Sequence, residues 1–170
     1  RILLLGEGPA ARDNAPGSGV QVNARHSALA AAASLGIQDV RFADLPDNRC
    51  DSLSMLDIAK TVERLAGDVQ ADLILTHFAG DLNIDHKITH RAVMTAFRPL
   101  PGRKNHTILS FEVLSSTEYA CPTMGASFHP TVYIDIRDYL DAKQKALEAY
   151  ASEMRPWPHP RSHEAAEYLA

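Results

Sequence analysis

Apolar residues in this chain fall into short runs that alternate with longer segments where they recur every three or four positions. The first run, Arg1 to Gly6 (R-I-L-L-L-G), predicts a buried strand. Residues 7 to 19 hold three Gly and two Pro and read as a loop. From Asn23 to Leu35, Ala28, Leu29, Ala32 and Leu35 share one stripe of a predicted helix. Asn23 is placed to cap its start and Gly36 to close it in the left-handed region. Val40 to Leu45 predicts a second strand, running into the turn P-D-N-R-C-D-S. A helix starting at Ser54 or Asp57 carries Ile58, Val62, Leu65 and Val69 on one face.

The next stretch, Asp72 to Phe97, is the one the rest is arranged around. It opens with Leu73, Ile74 and Leu75, short enough to be one buried strand. It closes with Ile88, Ala92, Val93 and Ala96 at helical spacing. Beyond it, Pro99 to Lys104 is a loop, Thr107 to Leu114 a strand, and Ser115 to Pro130 a segment of turns. Thr131 to Ile136 (T-V-Y-I-D-I) alternates as an edge strand with one wet face would. Tyr139 to Met154 has helical period, and the prolines of Arg155 to Ser162 enforce an extended loop. Alternation of strands and helices predicts an α/β fold, a Rossmann-like three-layer sandwich with a mostly parallel sheet and helices on both faces. The chain reads as a single domain over residues 1–170. It starts at Arg1, directly in a strand, and stops in a helical pattern, so the expectation is that it lacks N-terminal and C-terminal parts of a larger protein.

Composition narrows the function classes. Hydrophobic residues make up 45% and charged residues 22%, an ordinary globular balance. The net charge of -4, with no stripe of Lys or Arg, argues against a nucleic-acid partner. Cys50 and Cys121 form no C-x-x-C pattern and suit a reducing cytoplasm better than a disulfide framework. Arg49 before Cys50 could favour its thiolate, but an inert, partly buried thiol is the plainer reading. No apolar run reaches the length of a bilayer span.

Candidate chemistry concentrates between the central strand and helix, where Thr76, His77, Asp81, Asn83, Asp85 and His86 follow one another. The loop leaving the carboxyl end of a strand is where α/β sheets bind ligands. Asp85 suits the cap of the helix, and His86 in its first turn is biased towards the neutral imidazole a metal requires. Asp81 and Asn83 are placed to orient a metal, a water or a substrate hydroxyl. His86 and His90 have the spacing of paired zinc ligands, yet Lys87 stands where a zinc protease needs Glu. G-E-G-P lacks the third glycine of a dinucleotide fingerprint, and no G-x-S-x-G elbow is present. Ser115 and Ser116 have no base nearby in sequence. Arg25, read as lying in the first turn of its helix, opposes the dipole there and so is expected to have a partner in the site or to be solvated. Asp47 and Arg49 leave a strand at its carboxyl end, beside the other strand ends.

At G-D-L-N-I-D-H the sequence resembles the PIG-L/LmbE-like family of zinc-dependent N-deacetylases, whose motif there is D-x-H-P-D-H. Further segments agree: L-L-L-G-E-G-P, Arg25 before an Ala-rich helix, L-P-D-N-R and P-H-P-R-S. F-E-V-L-S-S-T-E, at Phe111 to Glu118, is similar to a bacterial branch tied to surface-glycan synthesis. The resemblance implies a zinc ligand at His86, with another divalent metal as an alternative. It implies catalytic roles for Asp81, Asn83 and Asp85, with Asp85 fixing the His86 ring. It implies substrate contacts at Arg25, Asp47, His159 and Arg161, and an N-acetylated sugar or nucleotide sugar as the small-molecule partner in glycan biosynthesis. A homo-oligomer is compatible with it. Two departures stand out. Asn83 replaces the usual His, and the family's A-H-P-D-D-E motif, which carries two further ligands and the general base, is absent from this chain. The competing expectations are a non-catalytic Rossmann-like sugar-binding domain and a nucleotide-dependent transferase.

Overall fold

The computed structural model describes residues 1–6, 18–67, 69–121, 123, 125 and 127–170, with the side chains of 18–23 excepted. The expected loop at 7–19 therefore lies mostly outside the described residues, and its last two positions already belong to a helix. The elements are β1 (Ile2–Gly6), α1 (Ser18–Ser34), β2 (Val40–Leu45), a 3-10 turn (Cys50–Ser52), α2 (Met55–Ala66), β3 (Leu73–His77), α3 (Ile84–Ala96), β4 (Thr107–Phe111), 3-10 turns at Thr117–Tyr119 and Arg137–Tyr139, α4 (Leu140–Glu148) and α5 (His163–Tyr168). The architecture is mixed α/β. Among the described residues the strands form two two-stranded sheets, β1 with β2 and β3 with β4, rather than one continuous sheet. β3 and β4 run parallel, with Leu73 opposite Thr107 and His77 opposite Phe111.

The chain divides into two compact units. One comprises Arg1–Ile2, Glu7–Arg41 and His129–Ala170; the other comprises Leu3–Gly6 and Phe42–Phe128. In the first, α1 packs against α4, and α4 against α5. Ser162 caps α5 by accepting from the Ala165 amide at 3.0 Å, and its side chain is fully buried. The second unit carries the larger core: Leu5, Cys50, Ile58, Val62, Leu65, Ile88, Ala92, Val93 and Ala96. The stripe Ile88, Ala92, Val93, Ala96 expected on the central helix is the face α3 buries, against α2. Ala92 and Ala96 have no bulk beyond Cβ, which lets the two helix backbones approach closely.

Several expectations change. Asn23 does not cap α1. The Ala-rich segment has high helix propensity, and the helix extends back to Ser18. Arg25 consequently sits beyond the first turn, where the dipole argument loses its force. Gly36 does close the segment after α1, at φ 71°. Val69 lies outside α2, which ends at Ala66 with Gly67 as its C-cap. β3 is not buried on both faces: Leu73 and Leu75 are exposed while Ile74 and Thr76 point inward. β4 stops at Phe111, short of Leu114, and α4 stops at Glu148, short of Met154. Thr131 to Ile136 is not a strand, and Val132, Tyr133 and Ile134 are exposed. Alternation reports two faces of different polarity; a strand also needs a partner edge for its hydrogen bonds.

Candidate functional site

The site is assembled at the carboxyl end of β3, entirely within the unit formed by Leu3–Gly6 and Phe42–Phe128. After His77 the chain turns, with the Asp81 amide donating to the Phe78 carbonyl at 3.2 Å, and enters α3. The helix cap is Asn83, not Asp85: the Asn83 side-chain oxygen accepts from the Asp85 amide at 2.8 Å. Its backbone is extended (φ −69°, ψ 128°), as a cap residue requires. Asp85 falls in the first turn instead, where its charge complements the helix dipole.

The two carboxylates have separate tasks. Asp85 reaches across to the loop after β2, accepting from the Asn48 amide at 2.6 Å and the Cys50 amide at 3.0 Å. Both of its oxygens are thereby engaged in holding that loop. Asn48 sits in the left-handed region at φ 51°, where its side chain joins the Asp47 carboxylate to the Asn83 amide, each at 3.1 Å. Asp81 is the carboxylate that holds the histidine. Its Oδ1 lies 3.0 Å from His86 Nδ1, which corrects the role expected of Asp85.

Asp81 has no exposed surface, so its charge needs internal partners. It accepts from the Ser116 hydroxyl and the Asn83 amide at Oδ1, and from the Thr117 hydroxyl at Oδ2 at 2.6 Å. Burial alone would raise its pKa. The Ser116 and Thr117 hydroxyls, the Asn83 amide and His86 together outweigh burial and hold the carboxyl below its ordinary value. An ionised carboxylate can only accept, so the His86 Nδ1 must carry the proton it shares with Asp81. Neutral His86 then presents an unprotonated Nε2, the atom a metal or a proton in transfer would meet.

His77 stacks on His86, with ring centroids 4.2 Å apart and planes 21° from parallel. Burial, then the neighbouring His86, push the His77 pKa down to about 4, with Asp81 opposing them and His90 adding to them. Its Nδ1 and the Thr76 hydroxyl are buried with no hydrogen-bond partner among the described residues. His90 Nδ1 lies 2.9 Å from the His77 carbonyl and donates to it. Cys50 is buried, and burial together with Asp85 pushes its thiol up to about 12, so it is an inert core residue.

Of the residues picked out from the sequence, Asp47, Asp81, Asn83, Asp85 and His86 all belong to this unit. Arg25, His159 and Arg161 belong to the other. Arg25 is exposed on α1. The Arg161 amide donates to His159 Nδ1 at 2.9 Å, and the Arg161 guanidinium meets Glu153 at 3.3 Å. Sequence reasoning missed Asn48, Ser116 and Thr117. Asn in a turn signals left-handed backbone, but nothing in S-S-T marks hydroxyls destined for a carboxylate some 35 residues earlier.

Whether these side chains suit a catalytic metal divides in two. His86 fits as a donor, because a buried carboxylate fixes its far nitrogen and leaves the near one available. Among the described residues no group of three His, Cys, Asp or Glu is arranged to hold a metal ion. One donor is thus visible, and a complete shell is not.

The unit is mixed α/β, and its oriented imidazole and buried acid lie at a strand's carboxyl end, the place where α/β sheets bind ligands. The chain belongs to the PIG-L family: the family described as "PIG-L: GlcNAc-PI de-N-acetylase" matches residues 1–97. It is also similar to the "Probable N-acetyl-alpha-D-glucosaminyl L-malate deacetylase 2" of Bacillus anthracis, at 24% identity over 120 residues, 70% of this chain and 50% of that protein. The chain spans about half the length of that curated relative. No described helix is long and apolar enough to cross a membrane.

Proposed function

We propose that this protein is a zinc-dependent N-deacetylase, hydrolysing the acetamide of an N-acetylated sugar or sugar-derived metabolite. The observation that carries the reading is the His86–Asp81 pair at the mouth of β3, on a family whose described member removes acetyl from an amino sugar. His86 is the zinc donor in this reading, and another divalent ion would be held by the same atom. Zinc, when bound, lowers the pKa of its water and polarises the amide carbonyl. Asp81 keeps the donor nitrogen unprotonated and aimed. Asn83 has one amide hydrogen on Asn48, and its second can donate to an oxyanion. Asp85 keeps the Asp47 loop in place beside the site, and Asp47 contacts the sugar. The family resemblance further assigns Arg25, His159 and Arg161 to the substrate. The substrate is an N-acetylated sugar or nucleotide sugar, and the setting is cytoplasmic glycan biosynthesis.

The test is release of acetate from a panel of N-acetylated sugars, alongside elemental analysis of the purified protein. The expected result is bound zinc and acetate release in the intact gene product, with both lost in its His86→Ala variant. Sugar binding without metal or acetate release would overturn the reading in favour of a non-catalytic binding domain.

A further inference from the structure

The segment after β4 contacts the site in a way that no assigned role explains. Ser116 and Thr117 are both buried, and both hydroxyls end on Asp81. Both lie outside the residues matched by the family, 1–97. Their local geometry is organised for this. Ser115 is in the left-handed region at φ 65°, and the Glu118 carboxylate ties down the Ser115 and Ser116 amides at 2.6 and 3.1 Å. Thr117 is held from the other side, since its hydroxyl oxygen accepts from the Val113 amide at 2.7 Å while its proton goes to Asp81.

The consequence falls on His86. Asp81 Oδ1 receives three donors: Ser116, the Asn83 amide and the imidazole. A buried carboxylate with no other partners would turn to collect them where it could. The two hydroxyls leave it one orientation, and that orientation presents Oδ1 to Nδ1. We infer that Ser116 and Thr117 are positioning residues that act through Asp81 to set the tautomer of His86, keeping Nε2 unprotonated. The inference rests on the proposed role of His86 as the site's donor, but it concerns a property of the metal-free ring itself. His77, stacked on the ring face, restrains its plane and leaves the choice of proton position to Asp81.

The tautomer is read directly from the two ring nitrogen shifts of His86 by long-range proton–nitrogen NMR. The measurement uses metal-free protein at about pH 8, above the ordinary histidine range. In the wild type the Nδ1–H form should exceed the Nε2–H form by roughly ten-fold or more, the scale of one charge-assisted hydrogen bond. Ser116→Ala should lower that ratio several-fold, and Ser116→Ala with Thr117→Val should bring the two forms near parity. Thr117→Ser, which keeps the hydroxyl, should restore the wild-type ratio. A double variant that retains the wild-type ratio while its other amide signals are unchanged would overturn the inference. So would a Thr117→Ser variant that behaves as Thr117→Val does. Should Thr117→Val unfold through loss of the Val113 contact, Ser116→Ala alone decides, because Ser116 supports no backbone group through its side chain. Absence of acetate release would sink the deacetylase reading and leave these ratios untouched.

Discussion

Replacing Asp85 separates a structural carboxylate from a catalytic one. Its two oxygens accept from the Asn48 and Cys50 amides at 2.6 and 3.0 Å, joining the first turn of α3 to the loop after β2. Hydrogen bonds to a charged group contribute roughly 1.5–3 kcal/mol each. Asp85 is partly exposed, which places these near the low end, and the favourable dipole position adds about 0.3–1 kcal/mol. Asp85→Ala should therefore cost about 3–4 kcal/mol. Asp85→Asn, which keeps one acceptor oxygen, should cost about half as much. With a urea slope of about 2 kcal/mol per molar, the Asp85→Ala midpoint falls by about 1.5–2 M. The loop should also become more accessible, so the Asn48 and Cys50 amides should exchange faster than amides of the α2 core. The His86 tautomer should not change, because Asp81 sets it. An Asp85→Ala variant with an unmoved urea midpoint would refute the argument. So would one that alters the His86 ring nitrogens as strongly as loss of Asp81 does.

Further expectations follow from the core and the thiols. Ile58→Ala removes a side chain 1% exposed between α2 and its neighbours, and should cost about 2–5 kcal/mol by urea unfolding. Leu75→Ala, at 58% exposure, should stay within about 0.5–1 kcal/mol of wild type. Ala92→Leu forces a larger side chain into a position with no exposed surface, and should destabilise by about 1–3 kcal/mol. Cys121 should react with a thiol reagent in the native protein, whereas Cys50 should react only on unfolding. The Cys50 thiol is raised from 9.0 to about 12 in the folded chain, so the unfolded chain loses this proton first. Stability should then decline as pH rises from about 9 towards 12, and Cys50→Ala should flatten that alkaline limb.

The central helix was legible because its face is written at helical spacing: Ile88, Ala92, Val93 and Ala96 are the residues it buries. The strand before it and the position of the polar cluster were equally legible, since an apolar run followed by a polar loop leaves few alternatives. The assignment of roles within that cluster was not. Asp81 and Asp85 are both acids beside one histidine, and spacing cannot say which points inward. The partners that decide it come from elsewhere in the chain: Asn48 and Cys50 before the site, Ser116 and Thr117 after it. Thr131 to Ile136 shows the opposite failure, a strand pattern with no edge to join.

Local pattern alone was enough for the α/β class, the buried faces of α2 and α3, and the family, because periodicity and short motifs are properties of neighbouring residues; on α1 the expected stripe fails at Leu29 and Leu35, which are exposed. Folding alone determined which carboxylate holds His86 and why Cys50 is inert. Those depend on contacts between residues more than thirty positions apart, where direction and burial, rather than residue type, select the hydrogen bond.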